Sequence, residues 1–353
     1  MTRVLGRKPI DRSRIQNVLV RATNWVGDVV MTIPALEAVK ENFPDAALSV
    51  LAKPWVAPLL ENLPYVNEVV LYRKGNGIPA GLIGTIKTAA GLRKSKYDLA
   101  ILFQNAFEAA MLTYFAGIEF RVGYNTDGRS FLLSHAVVRD DEILKIHQVE
   151  YYLNILRAMG WKAPSRDPSL AIAETDRVAV RRLLSSHGIE SGNYLLGLSP
   201  GAIFGPAKRW PPERFALIGD RAVERWGAKV IIFGSRKEEE VCMAVSRSMQ
   251  NPALNLCGMT SLGEAMALIK SCDLFVTNDS GLMHVAAAFN IPMIAIFGST
   301  DSVATGPRSR NARVVQNMMD CAPCLKPECP REYECLTSIE PEKIWKEMES
   351  LKR

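Results

Sequence analysis

"VTNDSGLMHVAAAFNIPMIAIFGSTD", residues 276–301, contains two aliphatic runs joined by a helix of small residues. Strand "DLFVTND" (273–279) is followed by helix "LMHVAAAFN" and then by strand "MIAIFG" (293–298). Aliphatic runs of this length, bounded by polar turns, read as strands buried on both faces. A strand, a helix and a second strand in so few residues make a right-handed βαβ crossover, which requires a parallel sheet. The polar residues Asn278, Asp279, Ser280 and Gly281 stand where the first strand hands over to the helix. In open parallel sheets this is where ligands sit.

The same alternation extends outward in both directions. "YLLGLSP" (194–200) and "AKVIIFG" (228–234) are strands of the same series, with helices expected at about 212–226, 236–250 and 261–272. An earlier series holds "NVLVRA" (17–22), "ALSVLA" (47–52), "NEVVLY" (67–72) and "DLAILFQ" (98–104), with "MTIPALEAVKENF" and "GTIKTAAGLRKSK" as helices. Between the two series lies "WKAPSRDPSLAIAETD" (161–176), whose prolines and polar residues suit a linker. Two βα series in 353 residues predict two Rossmann-like domains with parallel sheets facing across a cleft, over 1–175 and 176–353. The last helix is expected either in the second domain or packed back on the first.

Composition narrows the function. Hydrophobic content of 48% and charge of 23% are those of a globular protein. No apolar run reaches the roughly 20 residues of a membrane span, and the basic N-terminus lacks the apolar core of a signal peptide. A cytoplasmic location is expected. Residues 1–170 carry 21 Lys/Arg against 16 Asp/Glu, whereas the remainder carries 22 against 21. The excess in the first half suits an anionic partner there, or is a scatter of a few charges. Arg3, Arg7, Lys8, Arg12 and Arg14 form either a solvated tail or a contact for an anionic membrane surface. No G-x-G-x-x-G follows any strand, which disfavours a dinucleotide-dependent oxidoreductase.

Four strand ends carry candidate chemistry. In "RATNWVGDVVMTIPAL" (21–36), Gly27 permits a tight turn and Asp28 opens the next helix. Asp28 reads either as an N-cap or as a general base, since a helix N-terminus favours the ionised form. In "LSPGAIFGPAKRWPPERF" (198–215), Gly201 helps to shape a loop that carries Lys208 and Arg209. Lys208 is either a surface charge or a cation for diphosphate oxygens and a departing phosphate. In "FGSRKEEEVCMAV" (233–245), Glu238, Glu239 and Glu240 complement the helix dipole, unless one of them reaches a ribose hydroxyl. In the opening stretch, the amides at Ser280 and Gly281 form a ready diphosphate site. His284, one turn further on, either reaches that ligand or packs in the core.

"CAPCLKPECPREYEC" spaces Cys321, Cys324, Cys329 and Cys335 as C-x2-C-x4-C-x5-C, which departs from common zinc and ferredoxin patterns. Reduced structural thiols are favoured over a metal site. Cys242, Cys257 and Cys272 read as small core residues.

"TNWVGDVVMTIPAL", "PGAIFGPAKRWP" and "TNDSGLMHVAAA" together resemble the ADP-heptose:lipopolysaccharide heptosyltransferases, glycosyltransferase family 9. The likeness runs from about residue 17 to 345, and "GPAKRWP" is most similar to the heptosyltransferase II branch. The resemblance implies a two-domain GT-B fold with an acceptor-binding first domain and an ADP-sugar-binding second domain. It implies inverting transfer of L-glycero-D-manno-heptose from ADP-heptose to the heptosyl-Kdo inner core of lipopolysaccharide. By the same likeness Asp28 is the catalytic base and Lys208 serves catalysis and donor binding. Glu238, Asp279, Ser280, Gly281 and His284 are its further donor-site residues. The expected donor substrate is ADP-heptose, with no metal or other cofactor required and no nucleic-acid partner. The partner is the lipopolysaccharide acceptor, with peripheral contact at the cytoplasmic face of the inner membrane. Heptosyltransferase I or III, or a GT-B-like nucleotide-sugar epimerase, are the alternatives.

Overall fold

The computed structural model describes residues 2–6, 8–73 and 78–352, in two compact units, Met1–Ser169 and Leu170–Arg353. The division falls within residues 161–173, which have no regular secondary structure.

The first unit holds a seven-stranded sheet. Its strands are β1 (Val4–Gly6), β2 (Asn17–Arg21), β3 (Ala47–Ala52), β4 (Glu68–Leu71), β5 (Leu99–Leu102), β6 (Phe120–Tyr124) and β7 (His135–Val137). Their order across the sheet is β1-β7-β6-β5-β2-β3-β4. The central strands are buried because βα crossovers cover both faces, which is why they read as unbroken aliphatic runs. Helix Val26–Asn42 follows β2, helix Ile78–Lys94 follows β4 and helix Phe107–Phe115 follows β5.

One edge departs from the all-parallel expectation. β1 pairs antiparallel with β7, Leu5 opposite Ala136, and Val138 N donates to the Arg3 carbonyl. The basic N-terminus is therefore bound into the sheet rather than a loose tail. Arg3, Lys8, Arg12 and Arg14 stay exposed, and Arg7 lies outside the described residues.

The second unit carries six strands: β8 (Leu195–Ser199), β9 (Lys229–Ile232), β10 (Ala253–Asn255), β11 (Leu274–Asn278), β12 (Met293–Phe297) and β13 (Ala312–Gln316). All pairings are parallel, in the order β10-β9-β8-β11-β12-β13. Helices Pro212–Trp226, Glu239–Ser248, Leu262–Ser271 and Gly281–Ala288 make the crossovers. Pro212 pre-sets the first turn of one of these helices, and a Ser261–Glu264 capping box opens another.

The final helix, Pro341–Leu351, buries Ile344, Trp345 and Met348 in the core of the second unit. Trp345 stacks on Trp226 at 4.5 Å, and Arg221 lies over the Trp345 ring.

Candidate active site

The carboxyl end of β11 carries a cluster of buried polar side chains. Asn278 is buried and works as a clasp, its Nδ2 donating to the Pro200 carbonyl at 2.7 Å while its Oδ1 accepts from Trp210 N at 3.1 Å. It thereby ties the loop 200–210 to the strand end. Asp279 is buried next to it, and its Oδ2 accepts from Lys208 Nζ at 2.6 Å and from Thr300 Oγ1 at 2.6 Å. The Lys208 and Asp279 side chains are only 15% and 4% exposed, so this pair is shielded from the screening that weakens surface ion pairs. The Lys208 ammonium has three donors, so Asp279 leaves others for a ligand. It also lies 4.9 Å from the Phe204 ring centroid.

Ser280 is the N-cap of helix Gly281–Ala288, with its hydroxyl 3.3 Å from Thr277 Oγ1. The Ser280 side chain makes no cap bond, so it does not occupy the amides of the first turn. Such amides, with the positive end of the helix dipole, favour an anion. His284 is the fourth residue of this helix and is buried.

Main-chain hydrogen bonds also brace the loop bearing Lys208 on two sides. Ala207 N donates to the Pro327 carbonyl at 3.0 Å, and the Ala207 carbonyl accepts from Ser299 N at 3.2 Å. Pro327 belongs to the cysteine-rich segment, whose Leu325 N in turn donates to the Ser299 carbonyl. Cys321, Cys324, Cys329 and Cys335 are free thiols. Burial first, then the neighbouring thiols Cys329, Cys324 and Cys321, push the Cys335 thiol up. Among the described residues no group of three or more His, Cys, Asp or Glu side chains is placed to hold a metal ion. Cys242, Cys257 and Cys272 are buried core residues.

Glu238 has a structural task. Its Oε2 accepts from Ser235 N at 2.8 Å and from Ser235 Oγ at 2.7 Å, closing a capping box at Ser235. Its other oxygen lies against Gly201, where an added Cβ would come within 2.2 Å of Oε1. Gly201 therefore lets the buried carboxylate approach the loop after β8.

In the first unit Asp28 follows β2, as the third residue of helix Val26–Asn42. The N-cap is Trp25, which makes no side-chain cap bond, so Asp28 is a first-turn carboxylate and not the cap. Gly27 beside it is buried, whereas Asp28 is partly exposed. Burial, and next the charge of Asp28, hold the Tyr152 phenol well above its usual range, which fixes a neutral hydroxyl close to this carboxylate. The positive helix terminus stabilises the ionised carboxylate without neutralising it.

A further polar group was missed in the sequence. Lys53 and Tyr72 follow β3 and β4, and with Arg21, Asn24, Gln104 and Glu108 they line a pocket of about 220 Å³. The "AKPW" ending of the second strand obeys the same strand-end rule that drew attention to Asp28, and was the available signal.

The family model of glycosyltransferase family 9 (heptosyltransferase) matches residues 85–334. The chain belongs to glycosyltransferase family 9. The lipopolysaccharide heptosyltransferase 2 of Escherichia coli strain K12 is 33% identical over 347 residues, covering 95% of this chain and 98% of that protein. The lipooligosaccharide heptosyltransferase 2 of Haemophilus influenzae is 32% identical over 85% of this chain and 88% of its own length. Among solved structures, the E. coli ADP-heptose lps heptosyltransferase II superposes with a TM-score of 0.82 at 31% identity, covering 95% of this chain and 98% of that one. A family 9 glycosyltransferase from Veillonella parvula DSM 2008 gives 0.88 at 25% identity, covering 98% and 99%. The fold is GT-B-like, with two α/β units built on mainly parallel sheets, and the family 9 chain is a glycosyltransferase.

Proposed function

We propose that this family 9 enzyme transfers L-glycero-D-manno-heptose from ADP-heptose to the heptosyl-Kdo inner core of lipopolysaccharide, with inversion at the anomeric carbon. The first unit binds the acceptor and the second binds the ADP-sugar. Asp28 removes the proton from the acceptor hydroxyl as its oxygen bonds to the anomeric carbon. The bond from that carbon to the β-phosphate oxygen breaks, and ADP leaves with the electron pair. Lys208 and the amides at Ser280 and Gly281 neutralise the charge that grows on the leaving phosphate. Asp279 holds the Lys208 ammonium in place, and Glu238 and His284 complete the donor site.

The observation that carries this reading is the shielded Lys208–Asp279 pair at the start of helix Gly281–Ala288, a fixed cation near a helix start that the Ser280 side chain does not cap. That pairing suits a diphosphate, and the E. coli relative of known structure is named for ADP-heptose and lps. No helix among the described residues is long and apolar enough to cross a membrane. The reaction is assigned to the cytoplasmic face of the inner membrane, where exposed Arg3, Lys8, Arg12 and Arg14 meet anionic lipid. Incubation with ADP-heptose and inner-core acceptors of defined length, followed by mass spectrometry, tests the reading. The product should gain one heptose on the heptosyl-Kdo acceptor; release of free sugar without an acceptor would favour an epimerase and overturn it.

A further inference from the structure

Helix Phe107–Phe115 turns an apolar face to solvent. Ala109, Ala110, Leu112 and Thr113 are its buried residues, and they form the side that enters the core. Phe107, Met111, Tyr114 and Phe115 recur at i, i+4, i+7 and i+8, the spacing that lines one side of a helix, and here that side is the outer one. Phe115 is 61% exposed, Phe107 and Tyr114 are exposed with it, and Met111 is partly buried between them. Phe131, 69% exposed, widens the stripe, its ring centroid 6.1 Å from that of Phe107. Single exposed apolar residues are ordinary, but contiguous exposed rings mark a contact surface. Cations flank this stripe. Arg121 lies over the Tyr114 ring at 5.3 Å. The neighbouring helix Ile78–Lys94 packs alongside, with Lys87, Arg93 and Lys94 exposed and no Asp or Glu in its sequence. On the acidic side, Asp127 accepts from Phe107 N at 2.6 Å, and Glu119 is exposed.

We infer, on the proposed transfer to a lipopolysaccharide acceptor, that this aromatic face seats the enzyme on an anionic lipid bilayer. The rings of Phe107, Tyr114, Phe115 and Phe131 enter the headgroup region, and the flanking cations meet lipid phosphates. Aromatic side chains favour the boundary between headgroups and acyl chains, and a helix with an aromatic stripe and basic flanks lies flat in it. A second copy of the chain suits the face less well. At about 200 Å² per ring, the exposed parts of the four rings amount to about 400 Å², whereas each side of a standard protein interface buries about 800 Å². Binding to a bilayer has no such minimum, because apolar burial and attraction to anionic lipid add together. The placement also serves the reaction. Helix Phe107–Phe115 follows β5, which runs parallel to β2, so Phe107 stands at the sheet end that also carries Asp28. A bilayer on this face brings a lipid-linked sugar towards that end of the unit.

Flotation of the full chain with lipid vesicles tests the docking face. The parent should float with phosphatidylethanolamine vesicles that contain about one quarter phosphatidylglycerol. Combining Phe115→Ser with Phe131→Ser should lower the partition coefficient at least about tenfold, the scale of one buried ring. Combining Lys87→Gln, Arg93→Gln and Lys94→Gln should lower it about as far on these vesicles and leave binding to phosphatidylcholine vesicles unchanged. Transfer to a deacylated, water-soluble acceptor should stay within about twofold of the parent in both combinations, which also shows that they fold. A parent that floats with neither vesicle, or a serine variant that floats like the parent, overturns the docking face. So does a parent that sediments as a dimer and becomes monomeric with the two serines, which assigns the face to a second copy. Should the paired variant not fold, Phe131→Ser alone decides, and unchanged flotation overturns the face. A parent that floats as expected but transfers heptose to no acceptor refutes the proposed function instead, and supports the docking face.

Discussion

Asp28 and Asp279 both follow a central parallel strand and both stand at the start of a helix, yet their surroundings differ. Asp279 precedes its helix, is almost wholly buried, and shares one carboxylate oxygen between Lys208 and Thr300. Asp28 sits inside the first turn, partly exposed, behind a solvent-facing Trp25. A carboxylate held by a cation and a hydroxyl in a dry setting is fixed in charge and position, which suits the task of aiming Lys208. A carboxylate with access to solvent can take up a proton and release it again, as a base must once per turnover. On the proposed reading, the same strand-end geometry serves positioning in one unit and proton transfer in the other.

The largest effect should come from Asp28→Asn. Loss of a general base lowers rates by about 10²–10⁴-fold, so kcat should fall at least about a hundredfold while ADP-heptose affinity and melting temperature stay close to the parent. Isothermal titration with ADP alongside rate measurements checks both parts. A variant that kept a tenth of the rate would return Asp28 to a purely structural place at its helix start.

Lys208→Met should injure both function and stability, and here the two aspartates separate. Removal of one phosphate-neutralising donor is expected to reduce kcat by about 10²-fold. It also strands Asp279 in the interior, at a cost of about 3 kcal/mol seen in denaturant melts. Adding Asp279→Asn should restore much of the stability and none of the rate. If the single variant proved as stable as the parent, the view of Asp279 as a held, dry carboxylate would be wrong.

Gly201→Ala probes the same contrast through packing. Its new Cβ meets Glu238 Oε1 in a region already clasped by Asn278, so relief requires the capping box at Ser235 to open. Overpacking of this kind costs about 1–3 kcal/mol, and ADP affinity should drop with it. An unchanged melting curve would mean that the loop after β8 yields more readily than its bonds suggest.

The smallest effect is a salt response. The first 170 residues hold most of the positive excess, 21 Lys/Arg against 16 Asp/Glu. Raising ionic strength from 0.1 to 1 M shortens the Debye length from about 10 to 3 Å. Acceptor kcat/KM should fall a few-fold, while ADP affinity, which the proposed reading assigns to short contacts at Lys208 and helix amides, changes less. Equal losses on both sides would make the charge asymmetry incidental.

Much of this architecture was legible because buried parallel strands leave a plain trace. β2, β3, β5, β8, β11 and β12 are aliphatic runs that need no context. β1, β6, β7, β10 and β13 escaped notice since each is short or carries polar residues such as Arg121 and Arg313, and takes its strand form from a neighbour. Asp28 looked like a cap because carboxylates favour that position, whereas the chain turns into the helix two residues earlier, at Val26. The Lys208–Asp279 ion pair was not foreseen, although both residues were singled out, because the loop that joins them folds back by way of Asn278. The pocket was invisible for a related reason: Arg21, Lys53, Tyr72 and Gln104 come from four strand ends far apart in sequence.

The brace between Ala207 and Pro327 uses main-chain atoms on both sides. Exposed side chains along the cysteine-rich segment, unlike the buried Cys335, can therefore be exchanged without touching the support beneath Lys208, so long as the chain keeps its path. The restriction appears instead at Gly205, whose added Cβ would come within 2.4 Å of the Pro327 oxygen. Sequence drift in this supporting loop is open to selection for other properties, while the residue it crosses has no freedom to follow.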